Sequence, residues 1–361
     1  MRQKAVWQKM KSFGSFCLIL LLLPYIVTVF VHGKDFKTAR DSGTAYVTVR
    51  RAKGTAGFTQ IESTLDMAGT GSAAESGDYQ EVNGSAADEP LIAEVPWEEY
   101  FVGVMAREVP ADADMEFLKA QAVLVRTKLY QELDNPEKEA LDTPYLTRQE
   151  LEEKLDGTGS DTFYDNLIQA MQATENQVLF YQDAYAWAPF HQSSNGMTRS
   201  AQEVLGLDTY PYLSVRECPL DKEAEDEMQV TTFEYKEVQA KCQPFLVAVS
   251  EEDAGRTYEA ADFEIVSYDS AGYVMQMRIG DTVCTGDQFR DALSLTSSSF
   301  SIKDAEGKLK VTTMGKGHGL GLSQWTAQQM SKEGKSFEEI LQFFFEGTEL
   351  ADGGDITEKI E

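Results

Sequence analysis

Two rhythms of apolar and polar positions run through this chain, and the helical one is the clearer. From Val95 to Leu133 the sequence VPWEEYFVGVMAREVPADADMEFLKAQAVLVRTKLYQEL predicts helix, break, helix. Pro96 opens the first, with Glu98 and Glu99 in a first turn where carboxylates favour the helix dipole. Pro110 closes it, because the residue before a proline avoids the helical region. Asp114 is placed to cap the second, whose apolar stripe is Leu118, Ala122, Val125 and Leu129. Thr147 and Glu150 form a capping box for a short helix through Leu155. Phe163 to Asn176, Phe233 to Cys242, and Leu322 to Glu333, ended by Gly334, also read as helices. Ser336 and Glu339 cap a last one, FEEILQFFFEG, stopped by Gly347.

The period-two rhythm is shorter. AYVTVRR (45–51) alternates as a strand. QVLFYQ, a turn at Asp183 and YAWAPFHQS give two more strands. FEIVSYDSAGYVMQMRI is a hairpin turning at Ser270–Gly272. Phe289 to Leu295 and the SSSF after it read as structural, closing the domain. The mixture predicts an α+β fold. Gly54 to Pro90 is rich in Gly, Ala, Ser and acid and reads as a flexible linker, so the organised domain is expected from Leu91. The strongly charged stretch 134–159 reads as a peripheral insertion.

Charge and the N-terminus change the picture. The formal net charge is −28, yet the first 34 residues hold Arg2, Lys4, Lys9, Lys11 and Lys34 and no acid. The basic residues precede an apolar run from about Phe13 to Val31, long enough for a membrane span and lacking a small-x-small cleavage site. An uncleaved anchor with a cytoplasmic N-terminus is expected, and the body then lies outside the cytoplasm. So acidic a body excludes nucleic acid as a partner. Cys218, Cys242 and Cys284 follow the anchor. Their odd number allows at most one disulfide; Cys218 with Cys242 is one possible pairing, and the sequence does not decide it.

Chemistry concentrates in three places. Glu108 ends the first core helix, at the wrong pole of the dipole for a carboxylate and among Met105, Val109 and Pro110. Its pKa should rise, which suits a general acid. Arg107 beside it acts in the opposite sense. Lys119 and Arg126 are seven residues apart, so they share a helix face with Val123 between them. The second place is the turn HQSSNGMT, where Asn195-Gly196 can adopt positive φ and His191, Ser193, Ser194 and Thr198 gather. The third is GKGHGLGLSQW (315–325), whose alternating glycines allow close backbone approach to a ligand. It is neither a P-loop nor GxSxG, so a serine hydrolase built on Ser193 or Ser323 lacks its elbow. The chain holds three histidines. His32 lies at the end of the anchor; His191 and His318 are too few for a metal site without carboxylates. No metal and no cofactor is expected.

These three stretches resemble the stage II sporulation protein D family. EEYFVGVMAREVP followed by EFLKAQAVLVRTKLY is similar to that family's paired motif. FHQSSNGMT and YPYLSVRECPLD are similar to its FHSSSGGxT and the continuation, and GKGHGLGLSQW to its GxGHGVGMSQWGA. The resemblance spans about Leu91 to Leu350. It implies that Glu108 is the acid of a peptidoglycan lytic transglycosylase, and that Lys119 and Arg126 match the motif's cations. Those cations would pair with muramic carboxylates, while His191, Ser193, Ser194, His318, Ser323 and Gln324 would contact the glycan. Trp325, Tyr100 and Tyr212 are candidates to stack on sugars. Some relatives bind zinc at the His191 turn, but His191 through Glu203 contains no cysteine, so no zinc is expected.

The expected architecture is a cytoplasmic tail and transmembrane anchor (1–34), a strand plus linker (35–90), a single two-lobed extracytoplasmic α+β domain with a groove (91–350), and an acidic tail (351–361). The expected partners are peptidoglycan glycan strands, the membrane through the anchor, and a membrane-bound peptidoglycan amidase complex. The alternative reading is a non-catalytic glycan-binding module that recruits or activates that amidase.

Overall fold

The computed structural model describes residues 44–51, 91–225, 227–246 and 256–360. The expected anchor and linker lie outside these residues. Among the described residues no helix is long and apolar enough to cross a membrane. From Tyr46 onward the chain forms one compact unit of mixed helix and strand, as an α+β fold requires.

β1 (Tyr46–Arg51) pairs antiparallel with β2 (Leu91–Pro96), from Tyr46↔Pro96 to Arg51↔Leu91. The organised domain therefore begins with β1 and not at Leu91. The reason is the alternation in β1, which buries Val47 and Val49 on one side, as β2 buries Val95. α1 (Trp97–Glu108) and α2 (Met115–Leu133) follow, with the break where Pro110 and an N-cap aspartate predict it. α2 is the hub, buried from Phe117 to Tyr130 on nearly every side. α3 (Arg148–Lys154) starts on the expected capping box between Thr147 and Glu150. α4 (Ser160–Ala173) packs on both α1 and α2. β3 (Gln177–Tyr181) turns through Gln182 and Asp183, both at positive φ, into β4 (Ala184–Tyr185). The expected second strand is shorter than its sequence suggests: only β4 and β5 (Phe190–His191) form, with Trp187 between them turned inward.

The short α5 (Ala201–Leu205) leads toward the second region. There β6 (Met228–Phe233), α6 (Tyr235–Cys242), the meander β7 (Phe263–Tyr268), β8 (Val274–Ile279) and β9 (Thr282–Thr285), α7 (Gly286–Leu293), β10 (Phe300–Ala305) and β11 (Lys308–Met314) enclose a core of their own. Val238, Val274, Met277, Ile279 and Phe289 are at its centre and fully buried. β12 (Leu322–Ser323) then pairs in parallel with β5 and returns the chain to the helical region. α8 (Gln324–Lys332) and α9 (Phe337–Phe344) pack against α2. The expected acidic tail is instead tied in. β13 (Glu349–Asp352) adds to β3 with Leu350↔Leu179, and α10 (Ile356–Lys359) brings Lys359 to 2.8 Å from Asp134.

Candidate active site

α1 ends as the sequence predicts. Val109 donates to the Met105 carbonyl at 3.1 Å and then leaves the helix with extended backbone. Glu108 is thus the last helical residue, and its side chain keeps 27% of its surface exposed. Burial raises its pKa above the usual carboxylate range. Lys128, Arg107 and Lys154 oppose the rise without cancelling it. Arg107, with Nε 3.9 Å from Glu108 Oε1, does act to keep the carboxyl ionised, but desolvation outweighs it.

One face of α8 holds the α1–α2 break in place. Gln324 Nε2 donates to the Glu108 carbonyl at 2.9 Å. One turn on, Gln328 Oε1 accepts from Asp114 N at 3.1 Å and its amide donates to Asp112 O at 3.3 Å. Ser331 Oγ then accepts from Phe117 N at 3.3 Å. Positions 324, 328 and 331 fall on one helical face, so three side chains fix a loop that has few bonds of its own. Asp114 sits at the N-cap of α2 as expected, but its side chain makes no capping bond.

α8 is itself oriented from below. Ser323 is its N-cap, accepting from Thr326 N at 3.3 Å. Asp221, fully buried, accepts from Ser323 Oγ at 2.7 Å, Thr326 Oγ1 at 2.6 Å and Ser194 N at 2.6 Å. One carboxylate therefore joins the 193–196 turn to the start of α8. The Ser323–Asp221 bond is direct, with no imidazole between the two, so it is not a triad relay. Ser193 Oγ donates to Glu227 Oε2 at 3.1 Å. Burial first, with Asp221 adding to it, pushes Glu227 up to about 7.

The glycines of 315–321 serve the protein and not a ligand. All four stand at positive φ. At Gly321 a Cβ would lie 2.0 Å from Pro189 O, and at Gly319 2.7 Å from the Tyr273 ring. That intimacy seats His318 and His191 with rings 5.7 Å apart. His318 Nδ1 accepts from Leu320 N at 3.0 Å, and His191 Nδ1 donates to Leu320 O at 3.1 Å. Burial lowers both pKa values, which favours the neutral form of each ring.

Several expectations are corrected here. His191, Ser193, Ser194, His318, Ser323 and Gln324 are each at most 7% exposed. Gln324 holds the Glu108 carbonyl, the others bond to Leu320, Glu227 and Asp221, and so enclosed they do not present themselves to a glycan. Tyr100 and Tyr212 are buried too, donating to the carbonyls of Thr143 and Trp187. Arg126 is only 1% exposed. Its guanidinium donates to Met171 O, Gln177 O and Thr174 Oγ1 at 2.9–3.1 Å and lies over the Phe101 ring. Met171 O is one of the orphan carbonyls at the end of α4, Thr174 follows that helix and Gln177 opens β3, so Arg126 is a structural clasp and cannot reach a substrate carboxylate. Lys119 remains partly open, paired with Glu116 at 2.6 Å. Cys218, Cys242 and Cys284 are all free and buried, so the Cys218–Cys242 pairing does not form. Among the described residues no group of three or more His, Cys, Asp and Glu side chains is arranged to hold a metal.

Sequence reasoning missed Asp221 and Glu227 as site residues. Asp221 lies in the PLD of a motif already singled out, and its buried partners gave no local signal.

Residues 86–181 match the SpoIID family model, described as Stage II sporulation protein. That span holds Glu108, Lys119 and Arg126. The chain is 28% identical over 349 residues to Stage II sporulation protein D of Bacillus subtilis (strain 168), covering 93% of each. The chain thus carries a SpoIID-type segment and is similar to Stage II sporulation protein D along nearly its whole length. A second protein with that name, from Bacillus amyloliquefaciens, is 27% identical over 368 residues, 96% of each chain. A Bacillus subtilis (strain 168) protein named Amidase enhancer is 23% identical over 296 residues, 69% of this chain and 40% of the relative.

Proposed function

We propose that this protein is a peptidoglycan lytic transglycosylase of sporulation, cleaving peptide-stripped glycan between N-acetylmuramic acid and N-acetylglucosamine. The observation that carries the reading is Glu108. It is a partly exposed carboxyl at a rigidly held helix end, its pKa raised above the usual carboxylate range by burial. Such a group can give its proton to the glycosidic oxygen as the C1–O bond breaks. The ionised Glu108 then takes the proton of the muramic C6 hydroxyl as that oxygen bonds to C1, leaving a 1,6-anhydro end. A hydrolase needs a second carboxylate to act on water or sugar, whereas intramolecular attack needs one. Asp221 and Glu227, both buried, do not stand in for that second group. The sporulation names of the relatives support the setting. The basic N-terminus and apolar run support an anchored, extracytoplasmic body.

Glu108→Gln keeps the size and removes the transferable proton. With peptide-free glycan as substrate and anhydro-muramic ends counted by mass spectrometry, the rate should fall about two to four orders of magnitude. A variant that releases anhydro ends at the wild-type rate would falsify the acid role. The second reading, a glycan-binding module that recruits or activates an amidase, draws on the relative named Amidase enhancer, and that result would favour it.

A further inference from the structure

The insertion 134–159 turns out to reach the candidate acid. Leu146 N donates to Gly103 O at 3.0 Å, in the middle of α1. Gly103 permits this approach, since a Cβ there would stand 2.3 Å from Leu146 O. The contact sets α3 alongside α1, and the last residue of α3 is Lys154. Its Nζ donates to the Ala106 carbonyl at 3.3 Å. Ala106, Arg107 and Glu108 are the final turn of α1, so the ammonium stands at the helix pole where a cation is favoured. Lys154 is nonetheless exposed to solvent. Arg107 joins it from α1, and Lys128 acts on the same carboxyl from α2.

Three elements thus bring positive charge to one carboxyl, in a chain whose formal net charge is −28. A single cation would suffice to complement the helix pole. The surplus fits an anionic ligand. Once stem peptide is removed, the lactyl carboxylate of each muramic residue is the glycan's anion. We propose that Lys154 and Arg107 form the subsite that receives the lactyl carboxylate beside the scissile bond. This rests on the glycan-cleaving reading of Glu108. It assigns to Lys154 the pairing with muramic carboxylate expected of Lys119 and Arg126, the latter buried against backbone carbonyls.

The test measures binding, so that cleavage is not required. The full chain carrying Glu108→Gln is titrated with peptide-free glycan fragments, and with the same fragments after reduction of the lactyl carboxyl to an alcohol. Adding Lys154→Met keeps the aliphatic stem and removes the charge. It should weaken the carboxylate-bearing fragment about tenfold and leave the reduced one unchanged; Lys154→Arg should stay within about threefold of the parent. Equal losses for both fragments would mean that Lys154 only caps α1, and no loss for either would mean that it is a bystander. Each result overturns the subsite while leaving the glycan reading intact. If neither fragment binds the protein with Lys154 in place, the glycan reading and the subsite fall together.

Discussion

The side-chain amide of Gln324 donates to the main-chain carbonyl of Glu108 at 2.9 Å, across 216 residues of sequence. That carbonyl is one of the last in α1 and has no helical partner of its own. The bond fixes the terminal turn on which the acid rides, without touching the acid group. Gln324→Leu leaves the carbonyl unsatisfied, which should cost about 1–3 kcal/mol of stability. More tellingly, it should lower kcat for anhydro-end release by about tenfold or more while KM changes little, because a misplaced acid still permits binding. Steady-state kinetics on peptide-free glycan read both constants; an unchanged kcat would remove Gln324 as a positioning residue.

Glu227 makes a pH-dependent contribution to stability. Its Oε1 is buried without a partner and its Oε2 accepts from Ser193. Burial raises its pKa from an ordinary 4.5 to about 7. The fold therefore favours the neutral acid. That contribution is whole below the unfolded value and is lost as pH climbs through the folded one, so the window runs from about 4.5 to about 7. Glu227→Gln mimics the neutral form at every pH. The variant should match wild type near pH 5 and gain on the order of 2 kcal/mol over it by pH 8. Thermal melts across that range provide the comparison, and a stability difference that ignores pH would show that the carboxyl stays ionised in the fold.

Much of the helical region was legible because local signals there agree with each other. Pro96, Pro110, the Thr147–Glu150 box and the apolar stripe of α2 all point to the boundaries observed. β6 was not legible, because an edge strand that buries only Phe233 offers no alternation to detect. The site divides the same way. Glu108 at a helix end can be read from Pro110, but which way a helix face looks cannot be read from spacing. Lys119 and Arg126 do share a face, yet α2 is enclosed on almost all sides, so that face meets α4 at Arg126. The serines and histidines of the two turns look like ligand-seeking groups in sequence. They are buried because Asp221 and Glu227, distant along the chain, supply partners to the serines, and the Leu320 backbone does so for the two histidines.

Glu108 sits between two opposed influences, and their balance gives the last prediction. Burial raises its pKa, whereas Lys128, then Arg107, then Lys154 lower it in decreasing order. A general acid must carry its proton, so kcat/KM should fall as pH rises through the pKa of Glu108. Removing a cation removes an influence that favours the ionised form, so the pKa climbs and the falling limb moves to higher pH. Arg107→Ala should therefore extend activity toward alkaline pH. Lys128→Met should do so more strongly, and Lys154→Met less. Lys128 lies 4.0 Å from Glu132, so its removal also frees a carboxylate. The Glu132 carboxylate keeps a contact with Lys138 at 3.5 Å, which limits that complication. For Arg107 and Lys154 the height of the profile should also fall with weaker substrate binding, so the position of the limb carries the test; a cation that acted only on substrate would lower activity at all pH values with no movement of the limb. Profiles of kcat/KM against pH for the three variants distinguish the two cases. A limb that stays fixed in all three would mean that the titrating group in the rate is not Glu108.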